Sequence, residues 1–126
     1  MGLLELYFKI VKLPELDGVS GEVQDILVER IERGHHLVEI EDIAYALGMT
    51  KRTLQRRLNH EQEVFKEIRE LVRLNFAVRL LAEEHLKIDE VADRVGYKDR
   101  TTVTQSFKRH LGASPRDVQK AVKGIY

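Results

Sequence analysis

The chain has 126 residues, 21 Lys+Arg against 21 Asp+Glu, and no cysteine. That length allows one ordinary domain or two very small ones sharing a core. The missing cysteine excludes disulfides, thiol nucleophiles and thiolate metal sites, and it fits a cytoplasmic protein. No apolar run approaches the roughly 18 residues of a membrane span, and no signal-peptide pattern opens the chain. The balanced charge hides a division. Residues 1–48 hold 4 Lys+Arg and 10 Asp+Glu, whereas residues 49–126 hold 17 and 11. An acidic segment beside a basic one points to a polyanion partner for the second.

Leu3 to Leu13 is apolar and ends at a break, Pro14 to Gly18. Its periodicity admits a strand or a short helix. Two roles stand for it: packing against its own domain, or a surface for homodimerisation or for a sensor domain. A helix is expected after Ser20 as N-cap, with Val23, Ile26, Leu27 and Ile31 as its buried stripe and Gly34 as its stop. His35-His36 follow, but sequence neighbours do not face one another and no close acid or Cys completes a ligand set. No metal and no cofactor is expected.

A repeat then dominates the chain. Ile40-Glu41-Asp42-Ile43-Ala44 and Leu47-Gly48-Met49 are matched 48 residues later by Ile88-Asp89-Glu90-Val91-Ala92 and Val95-Gly96-Tyr97. One extra residue, Lys98, shifts the register, so that Leu54 falls opposite Val103 and Leu58 opposite Phe107. Each copy reads as a short helix, a glycine turn and a second helix, capped by Thr50 or Asp99. This is a helix-turn-helix layout, in which the second helix enters the major groove. Between the copies, Val64 to His85 holds apolar residues at helical spacing without proline or glycine. A helix of that length would span roughly 30 Å. Gly112 then ends the second copy, and Ser114-Pro115 opens a last helix as N-cap and first-turn proline.

The predicted second helix of the first copy buries only Leu54 and Leu58, leaving Lys51, Arg52, Gln55 and Arg56 outward, and no acid occurs from Thr50 to His60. A solvated face normally mixes signs, and Arg and Gln fit guanine and adenine edges. In the second copy Arg100, Thr101, Thr104 and Gln105 project outward with less charge.

These residues resemble the DNA-binding domain of the AraC/XylS family of bacterial transcription regulators, over about residues 20–120. Gly48-Met49-Thr50 with Arg52-Thr53-Leu54-Gln55-Arg56-Arg57-Leu58 is similar to the family's first recognition helix. Phe65, Arg73-Leu74, Ala77 and Leu80-Leu81 match its linker helix. Ile88, Glu90-Val91-Ala92, Val95-Gly96-Tyr97, Phe107-Lys108-Arg109, Gly112 and Ser114-Pro115 match its C-terminal signature. The resemblance implies an all-α, homeodomain-like fold of two helix-turn-helix subdomains, 19–62 and 86–126, joined by a linker helix over 63–85 and preceded by an N-terminal segment, 1–18. It implies base reading by Arg52, Gln55 and Arg56 and by Arg100, Thr101, Thr104 and Gln105, on adjacent major-groove segments. Gln105 stands where the family usually has arginine, and Glu39 and Lys87 stand where serine-like caps are usual.

The expected function is sequence-specific duplex DNA binding that regulates transcription, in the bacterial cytoplasm on the nucleoid. Phosphate contacts fall to Lys51, Arg57, Lys98, Lys108 and Arg109, with RNA polymerase as a further partner. The alternative is a protein-interaction module on the same fold. No nucleophile–base grouping, phosphate-cradling glycine loop or apolar carboxylate pair marks an enzyme.

Overall fold

The computed structural model describes residues 2–35, 38–123 and 125, and among them the secondary structure is helical without strands. The helices are α1 (Leu3–Val11), α2 (Gly18–Glu32), α3 (Ile40–Ala46), α4 (Lys51–His60), α5 (Phe65–Ala82), α6 (Ile88–Val95), α7 (Arg100–Leu111) and α8 (Pro115–Val122). The chain forms two compact units, Pro14–Val72 and Met1–Leu13 with Arg73–Tyr126. The division falls inside α5, the apolar helix between the two copies.

In the unit Pro14–Val72, Val23, Leu27 and Ile31 of α2 are fully buried with Ile43 and Leu54, at the helical spacing of the sequence. Ile26, expected in that stripe, is only half-buried. The start of α2 differs from expectation. The helix opens at Gly18 with Asp17 as N-cap, and Ser20 lies buried in its first turn, its hydroxyl donating to the Asp17 carbonyl at 2.8 Å. Asp17 makes no side-chain cap bond. The free N–H groups of Val19 and Ser20 instead donate to the two Glu61 oxygens, each at 3.0 Å. A distant carboxylate thus does the work of a local cap, which no local pattern announces.

The α3–α4 turn follows the sequence reading. Gly48 takes a left-handed φ of 69°, and the Met49 N–H closes the turn on the Ala44 carbonyl at 2.8 Å. Thr50 caps α4 by accepting the Thr53 N–H at 3.1 Å. At the start of α3, the Asp42 carboxylate reaches back to accept the Glu39 N–H at 2.9 Å. That is half of a capping box, and it serves although no serine stands at the N-cap.

In the other unit the same devices recur. Gly96 has a φ of 90°, the Tyr97 N–H donates to the Ala92 carbonyl at 3.0 Å, and Glu90 accepts the Lys87 N–H at 3.4 Å. Asp99 caps α7 through the Thr102 N–H at 2.8 Å, and Ser114 caps α8 through the Asp117 N–H at 3.1 Å with Pro115 at the first helical position. Ile88, expected inside, is only half-buried.

The apolar N-terminal segment is a helix and packs on α7 and α8 of this unit. Tyr7 is fully buried, while Leu4 and Phe8 remain exposed. Its last carbonyls, which have no partner within the helix, are met by a side chain from α5. Asn75, itself buried, donates from Nδ2 to the Ile10 carbonyl at 2.9 Å and the Val11 carbonyl at 2.7 Å.

The duplication is longer than the sequence pattern reveals. Phe65, Ile68 and Val72 of α5 and Pro115, Val118 and Val122 of α8 are buried at the same mutual spacing, 50 residues apart. Arg69 Nη1 donates to the Val38 carbonyl at 3.1 Å; its counterpart, Gln119 Nε2, donates to the Leu81 carbonyl at 3.2 Å. The first turns of α5 therefore serve as the third helix of the first copy, as α8 serves the second.

Candidate nucleic-acid interface

Burial of Leu54 and Leu58 fixes the rotation of α4, and Val103, Phe107 and Leu111 fix that of α7. What remains outward on α4 is Lys51, Arg52, Gln55, Arg56 and Arg57, all exposed. On α7, Arg100, Thr101, Gln105, Lys108 and Arg109 are exposed, as is Lys98 just before it. Thr104 departs from the expected outward projection. It is half-buried, and its hydroxyl donates to the Arg100 carbonyl at 2.9 Å, so part of its hydrogen-bonding capacity is spent on its own helix. Neither α4 nor α7 contains an acidic residue.

Each reading helix borders a groove with the helix that follows it. In the first unit a concavity of about 720 Å³ is lined by Lys51, Arg52, Gln55 and Arg56 of α4 and by Phe65 and Lys66 of α5. In the second, a concavity of about 550 Å³ takes Arg100 and Thr104 of α7 with Pro115 and Arg116 of α8. Lys66 and Arg116 occupy equivalent places, and sequence reasoning missed both. The signal was the continuation of the repeat from Phe65 and Pro115, obscured because α7 is two residues longer than α4.

Two ion pairs border the first turns of the reading helices. Lys51 Nζ lies 3.0 Å from Glu41 Oε1, and Arg100 Nε lies 3.4 Å from Asp89 Oδ1. The Glu41 carboxyl is held below the ordinary glutamate range by a backbone N–H at the start of α3, its own, and then by Lys51. Asp99 is likewise lowered, first by the Thr102 N–H and then by the Thr102 hydroxyl. The lowered Glu41 carboxyl is charged at neutral pH, where it pairs with Lys51.

Of the His35-His36 pair, His36 lies outside the described residues. Among the described residues no three His, Cys, Asp or Glu side chains come together as a metal site, and no helix is long and apolar enough to cross a membrane.

Two helix-turn-helix units, each presenting an acid-free second helix, define a tandem helix-turn-helix domain. The chain belongs to the AraC-type helix-turn-helix family: residues 43–121 match the family described as "Helix-turn-helix domain", a family of DNA-binding domains of transcription regulators. It is 35% identical over 79 residues to an HTH-type transcriptional regulator of Mycobacterium tuberculosis, covering 63% of this chain and 23% of that protein. It is similar to the transcriptional regulator CdpR from Pseudomonas aeruginosa, at 34% identity and a TM-score of 0.74, over 84% of this chain and 33% of that one. It is also similar to the DNA-binding domain of AdpA solved with a target DNA, at 25% identity and a TM-score of 0.67, over 82% of this chain and 95% of that one. The chain thus spans about a quarter of the length of the mycobacterial relative.

Proposed function

We propose that this protein binds duplex DNA in a sequence-dependent way and thereby regulates transcription, with α4 and α7 each lying in a major groove. The observation that carries the reading is α4: an exposed Lys-Arg-x-x-Gln-Arg-Arg face without an acid, set by the burial of Leu54 and Leu58. Arg52, Gln55 and Arg56 are spaced to meet successive base edges, as bidentate Arg–guanine and Gln–adenine pairs require. Lys51, Arg57, Lys98, Lys108 and Arg109 supply phosphate contacts, and α7 presents Arg100, Thr101, Thr104 and Gln105 to the second groove. Because Thr104 is bonded to its own helix and Gln105 is uncharged, α4 is the stronger reader.

The test is selection from a random duplex pool at about 0.1 M salt, where the Debye length is about 10 Å. Two enriched sequence blocks would mean that both units read bases. One block would leave α7 as a positioning element. No enrichment from a folded sample would sink DNA reading and favour a protein-interaction module. Contacts with RNA polymerase, a location on the nucleoid and self-association belong to the same proposal. The exposed Leu4 and Phe8 of α1 favour self-association, and sedimentation at rising concentration tests it.

A further inference from the structure

The two ion pairs beside the reading helices sit at equivalent places in the duplication. Glu41 corresponds to Asp89 at an offset of 48 residues, and Lys51 to Arg100 at 49, once Lys98 is passed. Neither residue type is kept, yet the pairing is: a carboxylate at the second position of the scaffold helix meets a cation at the first position of the reading helix. A first-turn acid alone is explained by the positive end of its helix. The cation is not. Lys51 and Arg100 occupy the first turns of α4 and α7, where a positive charge is opposed by the helix dipole. All four side chains are at least half exposed, so the pairs add little to stability.

Resting on the DNA-binding reading above, we infer that Lys51 and Arg100 do one job, contacting a phosphate, and that Glu41 and Asp89 are their counterions in the free protein, lowering affinity for duplex of every sequence. The cation leaves its carboxylate for a phosphate, and the carboxylate is left facing the polyanion. That cost is incurred on cognate and random DNA alike. Its effect is general restraint: it limits how tightly the chain holds any duplex and leaves the ratio of specific to non-specific binding unchanged. The inference moves Arg100 from the base-reading set to the backbone set, because its structural counterpart and its counterion are those of Lys51.

The experiment measures binding of the intact chain to a selected duplex and to a random-sequence duplex across a salt series. Glu41→Gln and Asp89→Asn should each strengthen both duplexes by the same factor, on the order of tenfold or less at 0.1 M salt, and steepen the slope of log K against log salt by about 0.9. Arg100→Ala should weaken both duplexes equally and make the slope shallower. Glu29→Gln, which removes a carboxylate paired with Arg33 on α2, is the control for overall charge and should move neither value appreciably. No change in Glu41→Gln and Asp89→Asn, with unaltered circular dichroism, would overturn the inference. So would an effect on the selected duplex alone, which would make these residues base readers. Failure of the unaltered chain to bind any duplex at low salt would instead remove the DNA-binding reading itself.

Discussion

Glu61 Oε1 accepts the backbone N–H of Ser20 at 3.0 Å, across 41 residues of sequence, and ties the end of α4 to the start of α2. Its second oxygen takes the Val19 N–H at the same distance. These N–H bonds, Ser20's first, hold the Glu61 carboxyl below its ordinary value of 4.5. A depressed folded-state pKa contributes stability that is present above the unfolded value and lost as pH falls through the folded one. Glu61→Ala should therefore cost about 1–2 kcal/mol at pH 7, the worth of a strong cap. The deficit should shrink as the pH is lowered from about 4.5 downward. Urea melts of both proteins at pH 7 and pH 3 measure it. An equal difference at both would mean that Glu61 acts through packing, not charge.

Gly21 gives a sharper test of the same corner. A Cβ built there would stand 2.3 Å from the Leu16 carbonyl oxygen, and that neighbour is backbone, unable to swing aside. Gly21 also donates its N–H to the Asp17 carbonyl at 3.1 Å, which holds it in the first turn. Alanine normally favours a helix over glycine. Here Gly21→Ala should destabilise by about 2–3 kcal/mol, as overpacking does. Thermal unfolding checks it, and an unchanged midpoint would show that the Leu16 turn relaxes freely.

The features legible in the sequence are those fixed by local chemistry. Gly48, Gly96, Thr50, Asp99 and Ser114-Pro115 announce turns and caps because each answers a need of the backbone within four residues. The buried pairs Leu54–Leu58 and Val103–Phe107 orient the reading helices for the same reason. What the sequence hid depends on distance. Ser20 looks like an N-cap, yet Glu61 supplies the acceptor from the far end of α4. The role of α5 as a third helix was masked by its continuous apolar pattern, which does not show where one unit ends. The periodicity of Leu3–Leu13 left strand and helix open, and only its packing on α7 and α8 decides between them.

Asn75 links α5 to α1. Its Nδ2 meets two carbonyls of the last turn of α1, while its Oδ1 accepts from Arg79 Nε at 3.2 Å, so donor and acceptor are both used in a buried place. Asn75→Ala should cost about 2–3 kcal/mol, because the Ile10 and Val11 carbonyls lose their side-chain donor. Asn75→Asp should be worse than alanine although it is nearly isosteric, because a carboxylate cannot donate and would face two carbonyl oxygens. Amide exchange should rise first in α1. Equal stability of the aspartate and wild-type proteins would show that the carbonyls find water instead.

Arg56 and Lys108 separate reading from holding. Arg56 lies one helical turn past Arg52 on the exposed face of α4 and borders the first groove with Gln55; Lys108 lies near the end of α7, exposed. Arg56→Ala should weaken a selected duplex by about 1–3 kcal/mol and relax preference at one base position. On random DNA it should matter far less, because base contacts are unmade there. Lys108→Ala should weaken all duplexes alike and make the salt dependence shallower by about 0.9 in slope. If roughly six phosphate contacts form in all, the unaltered chain should show a slope near −5. Competition titrations at several salt concentrations give all three quantities. An equal loss on selected and random duplexes for Arg56→Ala would make Arg56 a backbone contact, and the burden of base reading on α4 would then fall on Arg52 and Gln55.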